Sequence, residues 1–195
     1  MIWWNVLRHR KTGSGEHARR AAGSKLGRRI GAVAIAVLLL GLLIPENLKM
    51  PVAGAKPGDW NPRSFWYYPW GKSGVHKGVD IFAPKGRPVL SATPGLVIRC
   101  GNGPRGGNTV LVLGPKWRFH YYSHLDRVDV RPFRIVSSGE RLGSVGNSGN
   151  AAGKPSHLHY AIATAIPYPW RINLQPQGWR RMFFLNPHDR LAGLK

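Results

Sequence analysis

At 195 residues and 43% hydrophobic content, the chain can bury one ordinary core, and a single main domain is expected. Its formal charge of +21 suits anionic partners, whether nucleic acid, lipid headgroups or an acidic wall polymer, and does not choose among them. Cys100 is the only cysteine, which excludes an intramolecular disulfide and says little about compartment.

Taken in order, residues 1–29 carry Arg8, Arg10, Lys11, Arg19, Arg20, Lys25, Arg28 and Arg29 against Glu16 alone, a basic segment expected on the cytoplasmic side. Residues 30–44 (IGAVAIAVLLLGLLI) are an uninterrupted apolar run closed by Pro45. As a helix this run spans about 22 Å, short of the roughly 30 Å hydrocarbon core. Snorkelling arginines and local thinning cover such a gap. The one-sided charge predicts a single-pass anchor in the cytoplasmic membrane, with the rest of the chain outside the cytoplasm, in the periplasm. The alternative is a signal peptide cleaved at Ala53-Gly54-Ala55 and a secreted product. Residues 45–58 (PENLKMPVAGAKPG) read as a linker, and 59–195 as the folded domain. Trp60, Phe65, Trp66, Tyr67, Tyr68 and Trp70 form an aromatic patch, read as a cap on the core or, alternatively, as a wall touching substrate.

From Val79 to Ile162 short apolar runs alternate with turn residues. The runs are Val79–Ile81, Val89–Leu90, Leu96–Ile98, Val110–Leu113, Phe119–Tyr122, Leu142–Val145 and Leu158–Ile162. Turns such as Thr93-Pro94-Gly95, Gly101-Asn102-Gly103 and Gly146-Asn147-Ser148-Gly149 separate them. Strands at this spacing, with no long helical period, predict an antiparallel all-β domain. Residues 164–185 read as a Pro- and Trp-rich insertion against the core or a groove rim. His120 has no partner motif and reads as structural or exposed.

Three segments offer ligand-type side chains: His76-Lys77-Gly78-Val79-Asp80, His124, and His157-Leu158-His159. On a strand His157 and His159 share a face and Leu158 turns to the core. His76 and Asp80 on one straight strand would lie about 13 Å apart, too far for a single zinc with bonds of about 2.0–2.2 Å. A bend at Gly78 ahead of the strand would bring them together.

These residues resemble the signatures of the lysostaphin/LytM-type zinc metallopeptidases. His76-Lys77-Gly78-Val79-Asp80-Ile81-Phe82-Ala83-Pro84 is similar to HxGxD-[IL]-xAP, and Gly107-Asn108-Thr109-Val110 to GN-x-V. Tyr122-Ser123-His124-Leu125 is similar to Y-[AS]-HL, the stretch Gly139–Gly149 to G-x-x-(I/L)-G-x-VG-x-[ST]G, and His157–Tyr160 to HLH[FY]. The matches run in family order. The resemblance implies the duplicated hybrid motif fold with a substrate groove, and one zinc ion per chain held by His76, Asp80 and His159. Such a ligand set leaves a fourth position for water. It implies His124 and His157 as catalytic residues, one a general base and proton shuttle, the other steadying the oxyanion or protonating the leaving amine. The implied activity is endopeptidase cleavage of peptidoglycan stem peptides or cross-links. The alternative is a non-catalytic member that binds peptidoglycan or activates another hydrolase; lost zinc ligands mark such proteins, and none is missing here. Ala161 and Gly106 depart from commoner family residues at positions that are not ligands. No nucleic-acid partner is expected, since the apolar export segment and the lack of a basic recognition helix oppose it.

Overall fold

The computed structural model describes residues 13–194. The first twelve residues of the basic segment lie outside the described residues. Helix α1 (Gly13–Leu43) contains the 19-residue stretch Lys25–Leu43, within which 18 consecutive residues have a mean hydropathy of 2.0. By length and composition it can cross a membrane, spanning about 28 Å. The chain divides into two compact units, and the second begins at Leu43.

That second unit is built on nine strands: β1 (Val79–Phe82), β2 (Pro88–Leu90), β3 (Gly95–Gly103), β4 (Gly107–Gly114), β5 (Arg118–Val128), β6 (Ile135–Val136), β7 (Arg141–Val145), β8 (His157–Thr164) and β9 (Phe184–Leu185). They form one sheet with the path β1-β8-β5-β4-β3-β6; β7 joins β5 and carries β2, while β9 lies on β8. Every ladder among the described strands is antiparallel, as the strand spacing predicts. Each apolar run became a strand. Only β6 and β9, two residues apiece, are too short to announce themselves as runs.

Period-two alternation explains where the core sits. On β8, Leu158, Tyr160 and Ile162 are fully buried; on β5, Tyr122 and Leu125 are, and on β4, Val110 and Val112. Full burial of such a side chain contributes about 1.5–3 kcal/mol. The intervening residues of β5 and β8 are left for a groove on the opposite face.

Residues 45–58, expected as a linker, lie along this core. Val52 is fully buried and bridges Val89, Leu90 N–H donates to Pro51 O at 2.9 Å, and Lys49 N–H donates to Ala92 O at 2.8 Å. Leu48, Met50 and Val52 recur every second residue, the strand period that the surrounding Pro and Gly obscure. The compact unit therefore starts at Leu43, not at 59. The aromatic patch splits between its two readings: Trp60 and Trp66 are buried, whereas Trp70 faces the groove. Beyond β8, short 3-10 turns at Pro169–Arg171 and Gly178–Phe183 lead through β9 to α2 (His188–Leu191), which returns Leu191 to the core.

Candidate metal centre

The centre is positioned by strand register. In the β1–β8 ladder Asp80 sits directly opposite His159 and Phe82 opposite His157. Because the two histidines are two residues apart, both project from β8 into the groove, while Leu158 between them goes to the core. His76 precedes β1 and folds back so that its Nε2 lies 3.1 Å from Asp80 Oδ1 and 3.0 Å from His159 Nδ1. His159 Nδ1 is 2.8 Å from Asp80 Oδ1, and the ligand atoms of all three residues fall within 4.8 Å of one another. The chain bends at Gly78, as expected. The backbone of Gly78 avoids the left-handed region, but a Cβ there would meet Tyr160 O at 2.4 Å and the His159 ring at 3.0 Å. Glycine at this bend directly before β1 also permits the close approach to β8.

The donor chemistry of this cluster fits a cation. His76 Nδ1 lies 3.0 Å from Ser64 O and must carry its proton to donate there. Its Nε2 in the neutral ring is then a lone pair aimed at a carboxylate oxygen and a second imidazole. Two acceptors, His76 Nε2 and Asp80 Oδ1, then converge on His159 Nδ1, whose single proton cannot satisfy both. Burial pushes the Asp80 carboxyl up, but the hydrogen bonds and charges of His159 and His76 outweigh it and hold it well below the usual carboxylate range. Burial lowers His159, so it stays a neutral ligand type. Two nitrogens and one carboxylate oxygen are a donor set that suits zinc.

The other two histidines stand beside the cluster with their orientation fixed by main chain. His157 Nδ1 donates to Pro155 O at 2.8 Å, and its Nε2 points back to within 4.0 Å of Asp80 Oδ2. His124 Nδ1 donates to Ser148 O at 2.9 Å, and its ring meets that of His157 edge-on at 5.1 Å. Burial pushes His124 down to about 4, partly offset by the Ser148 carbonyl. His124 lies in a bulge of β5 and has φ of 65°, a left-handed conformation that a side chain of its kind rarely adopts. Asn108 and Ser148 hold that bulge. Asn108 Nδ2 donates to the carbonyls of Leu125 and Asp126, both at 3.1 Å, and Ser148 Oγ donates to Leu125 O at 2.7 Å. This is the physical content of the Gly107-Asn108 and Ser148-Gly149 motifs, whose role in placing His124 the residue types alone do not disclose.

All five predicted residues thus come together on the floor of one groove of about 1210 Å³. Its walls include Trp70, stacked on His76 at 4.1 Å, together with Phe82 and Tyr121. Lys72, Lys77, Arg105 and Lys154 line it as well, and Asp80 is the only acid among the described residues that line it. The carbonyls of Ser64, Pro155 and Ser148, which fix the three imidazoles, were invisible in sequence because they are backbone atoms. His120 is fully buried, on the other side of the sheet.

Comparison with known proteins agrees with this geometry. Residues 74–168 match the model for peptidase family M23. The chain is 37% identical over 113 residues to the L-Ala–D-Glu endopeptidase of Bacillus subtilis, covering 53% of this chain and 35% of that protein. It is 30% identical over 111 residues to the murein hydrolase activator NlpD of Escherichia coli, covering 52% of this chain and 28% of NlpD. The chain thus spans about a third of the length of each of these two relatives. Among solved structures, the catalytic domain of the antimicrobial peptidase lysostaphin from Staphylococcus simulans superposes with a TM-score of 0.50 at 26% identity, covering 55% of this chain and 82% of that one.

Proposed function

Since residues 74–168 are a peptidase family M23 domain, we propose that the chain is a zinc-dependent endopeptidase that hydrolyses peptide bonds in peptidoglycan outside the cytoplasm. The observation that carries this reading is the convergence of His76, Asp80 and His159 on the groove floor with two further imidazoles beside them. A bound zinc ion would be held by those three residues and would supply Lewis acidity, polarising the scissile carbonyl and acidifying water. The chain's own part is orientation and proton transfer. His157 presents Nε2, which in the neutral ring is the nitrogen with the lone pair because Nδ1 donates to Pro155, towards the space over Asp80. That nitrogen takes the proton released as water attacks the carbonyl carbon and returns it to the amine nitrogen as the C–N bond breaks. His124, neutral near pH 7 because of its burial, offers the same kind of lone pair from the other side. The aromatic walls exclude water and grip an extended peptide.

NlpD is named a murein hydrolase activator, and activation of a hydrolase is the alternative reading. The complete ligand set favours the enzyme here. The apolar helix Lys25–Leu43 supports a membrane anchor, with Lys25, Arg28 and Arg29 on its cytoplasmic side.

Digestion of purified peptidoglycan by the full chain in detergent, with mass analysis of the fragments, tests the proposal. New amine and carboxyl ends within stem peptides are expected, lost in His159→Ala and on chelation. Reducing sugar ends would replace the reading with glycosidic chemistry. No fragments from the chain alone, together with acceleration of a separate hydrolase, would establish the activator reading.

A further inference from the structure

The groove leaves the loop between Thr164 and Phe184 unexplained. This loop displays Trp170, Ile172, Leu174 and Trp179, exposed to 78%, 49%, 105% and 55%. It also carries Arg171, Arg180 and Arg181 and no acidic residue. The display is built on a fixed base. Tyr168 N–H donates to Met182 O at 2.8 Å, Gln177 Nε2 donates to Ser73 O at 2.8 Å, and Trp66 Nε1 donates to Pro176 O at 3.1 Å. The apolar tips stay exposed although the loop is tied down. Arg180 lies over the Trp179 ring at 5.1 Å, so charge and aromatic surface are presented together.

The base of this loop is linked to the first residues of the same compact unit. The Trp170 ring packs on Tyr168 at 5.2 Å; the Tyr168 hydroxyl accepts from Arg118 Nη2 at 3.3 Å; and Arg118 is ion-paired with Glu46. Glu46 follows Leu43, the last residue of α1, by three positions, a path of at most about 10 Å.

We propose that this loop docks on the headgroup layer of an anionic bilayer. Tryptophan favours that layer, arginines pair with its phosphates, and leucine and isoleucine reach the acyl boundary beneath. Charge separates this surface from the other exposed apolar pair, Phe133 and Ile135, at 80% and 79% exposure. There Arg134 is paired with Glu140, and Arg127 and Arg141 share Asp129, so two carboxylates offset half the charge of Arg127, Arg131, Arg134 and Arg141, whereas no carboxylate in the loop offsets its three arginines. A second copy is a poor occupant because it would set arginines against arginines.

The test uses the full chain in nanodiscs of brominated phosphatidylglycerol or brominated phosphatidylcholine. In a Cys100→Ser background, Leu174→Cys or Phe133→Cys carries an environment-sensitive fluorophore; both positions are exposed enough to leave the fold alone. Quenching at 174 in phosphatidylglycerol should exceed that at 133 several-fold. Its docked-to-undocked ratio should fall about fivefold for each arginine removed in Arg171→Gln and Arg180→Gln. Equal quenching at the two positions, quenching at 174 indifferent to headgroup charge, or a signal at 174 that rises only with protein density would each overturn the proposal, the last in favour of self-association.

Discussion

Two carboxylates, one buried and one half-buried, meet histidines on opposite faces of the β5–β8 ladder, and their fates differ. On the groove face, Asp80 touches His76 and His159, and its ion-pair partners among the described residues are imidazoles alone. On the core face, Glu46 pairs with Arg118 and with Arg190 at 2.9 Å, while His120 Nε2 stands 3.3 Å from its other oxygen, within ion-pair reach but not aligned as a hydrogen bond. The ingredients are similar and the balance is not. Two guanidinium groups close the Glu46 cluster from within, which makes it a fastening. No guanidinium reaches Asp80, so its cluster keeps a deficit of positive charge that an ion can fill. Proximity of histidine to carboxylate therefore does not by itself mark a site; the absence of a permanent cation does.

The sharpest way to break this comparison is to remove each carboxylate. Asp80→Asn should abolish zinc uptake and reduce peptidoglycan hydrolysis to background, with no loss of melting temperature in metal-free protein. Glu46→Ala should do the reverse. It strands the buried Arg118 and should cost about 3–5 kcal/mol of stability, while the fraction that folds still binds one zinc. Metal analysis and thermal melting on both variants decide it; loss of zinc from a stably folded Glu46→Ala protein would show that the two clusters are not independent.

Next in size are the imidazoles beside the ligands. His157→Ala and His124→Ala should each lower turnover by about 10²–10⁴-fold while retaining zinc, read by single-turnover digestion alongside metal content. Smaller again is Gly78→Ala. The added methyl meets the Tyr160 carbonyl and the His159 ring, so the strand must shift, at about 1–3 kcal/mol. The expected signature is weakened zinc affinity in a competition titration; unchanged affinity would mean that β8 gives way without moving His159.

The groove cluster was legible in the sequence because strand periodicity does the positioning. His157-Leu158-His159 must present two imidazoles on one face, and its antiparallel neighbour then supplies Asp80 by register. The family signatures carried the rest. The Glu46 cluster was not legible, since it joins residues 46, 118, 120 and 190, which share no motif or spacing. Pro45 and Pro51 also disguised its segment as a linker, although Leu48, Met50 and Val52 kept a strand's alternation. Backbone carbonyls that orient His76, His124 and His157 have no residue signature at all. Periodicity and motif specify what one element does, whereas long-range polar closure has to be seen in three dimensions.

The smallest expected effect concerns the pH dependence of the fastening. His120 is fully buried, accepts from the Tyr160 hydroxyl at Nδ1 over 2.7 Å, and faces Glu46, Arg118 and Arg190. Burial lowers it from its ordinary 6.5, against the pull of Glu46. A histidine held neutral in the fold takes up its proton only on unfolding, so its contribution is whole above pH 6.5 and is lost as pH falls from there towards the folded value. For Glu46 burial acts upward, but His120 and the two arginines outweigh it and keep it below 4.5; its contribution is present above that value and lost as pH falls through the lower folded one. Acid should therefore loosen the fastening in two stages, histidine first. Melting temperature followed from pH 7 downwards in wild type and His120→Gln isolates the upper stage, because the groove imidazoles are common to both proteins and cancel in the difference. The variant curve should be flatter just below pH 6.5 and should rejoin the wild-type slope below 4.5. Parallel curves across the upper window would mean that His120 is protonated in the fold, and that Glu46 is then shared among three cations.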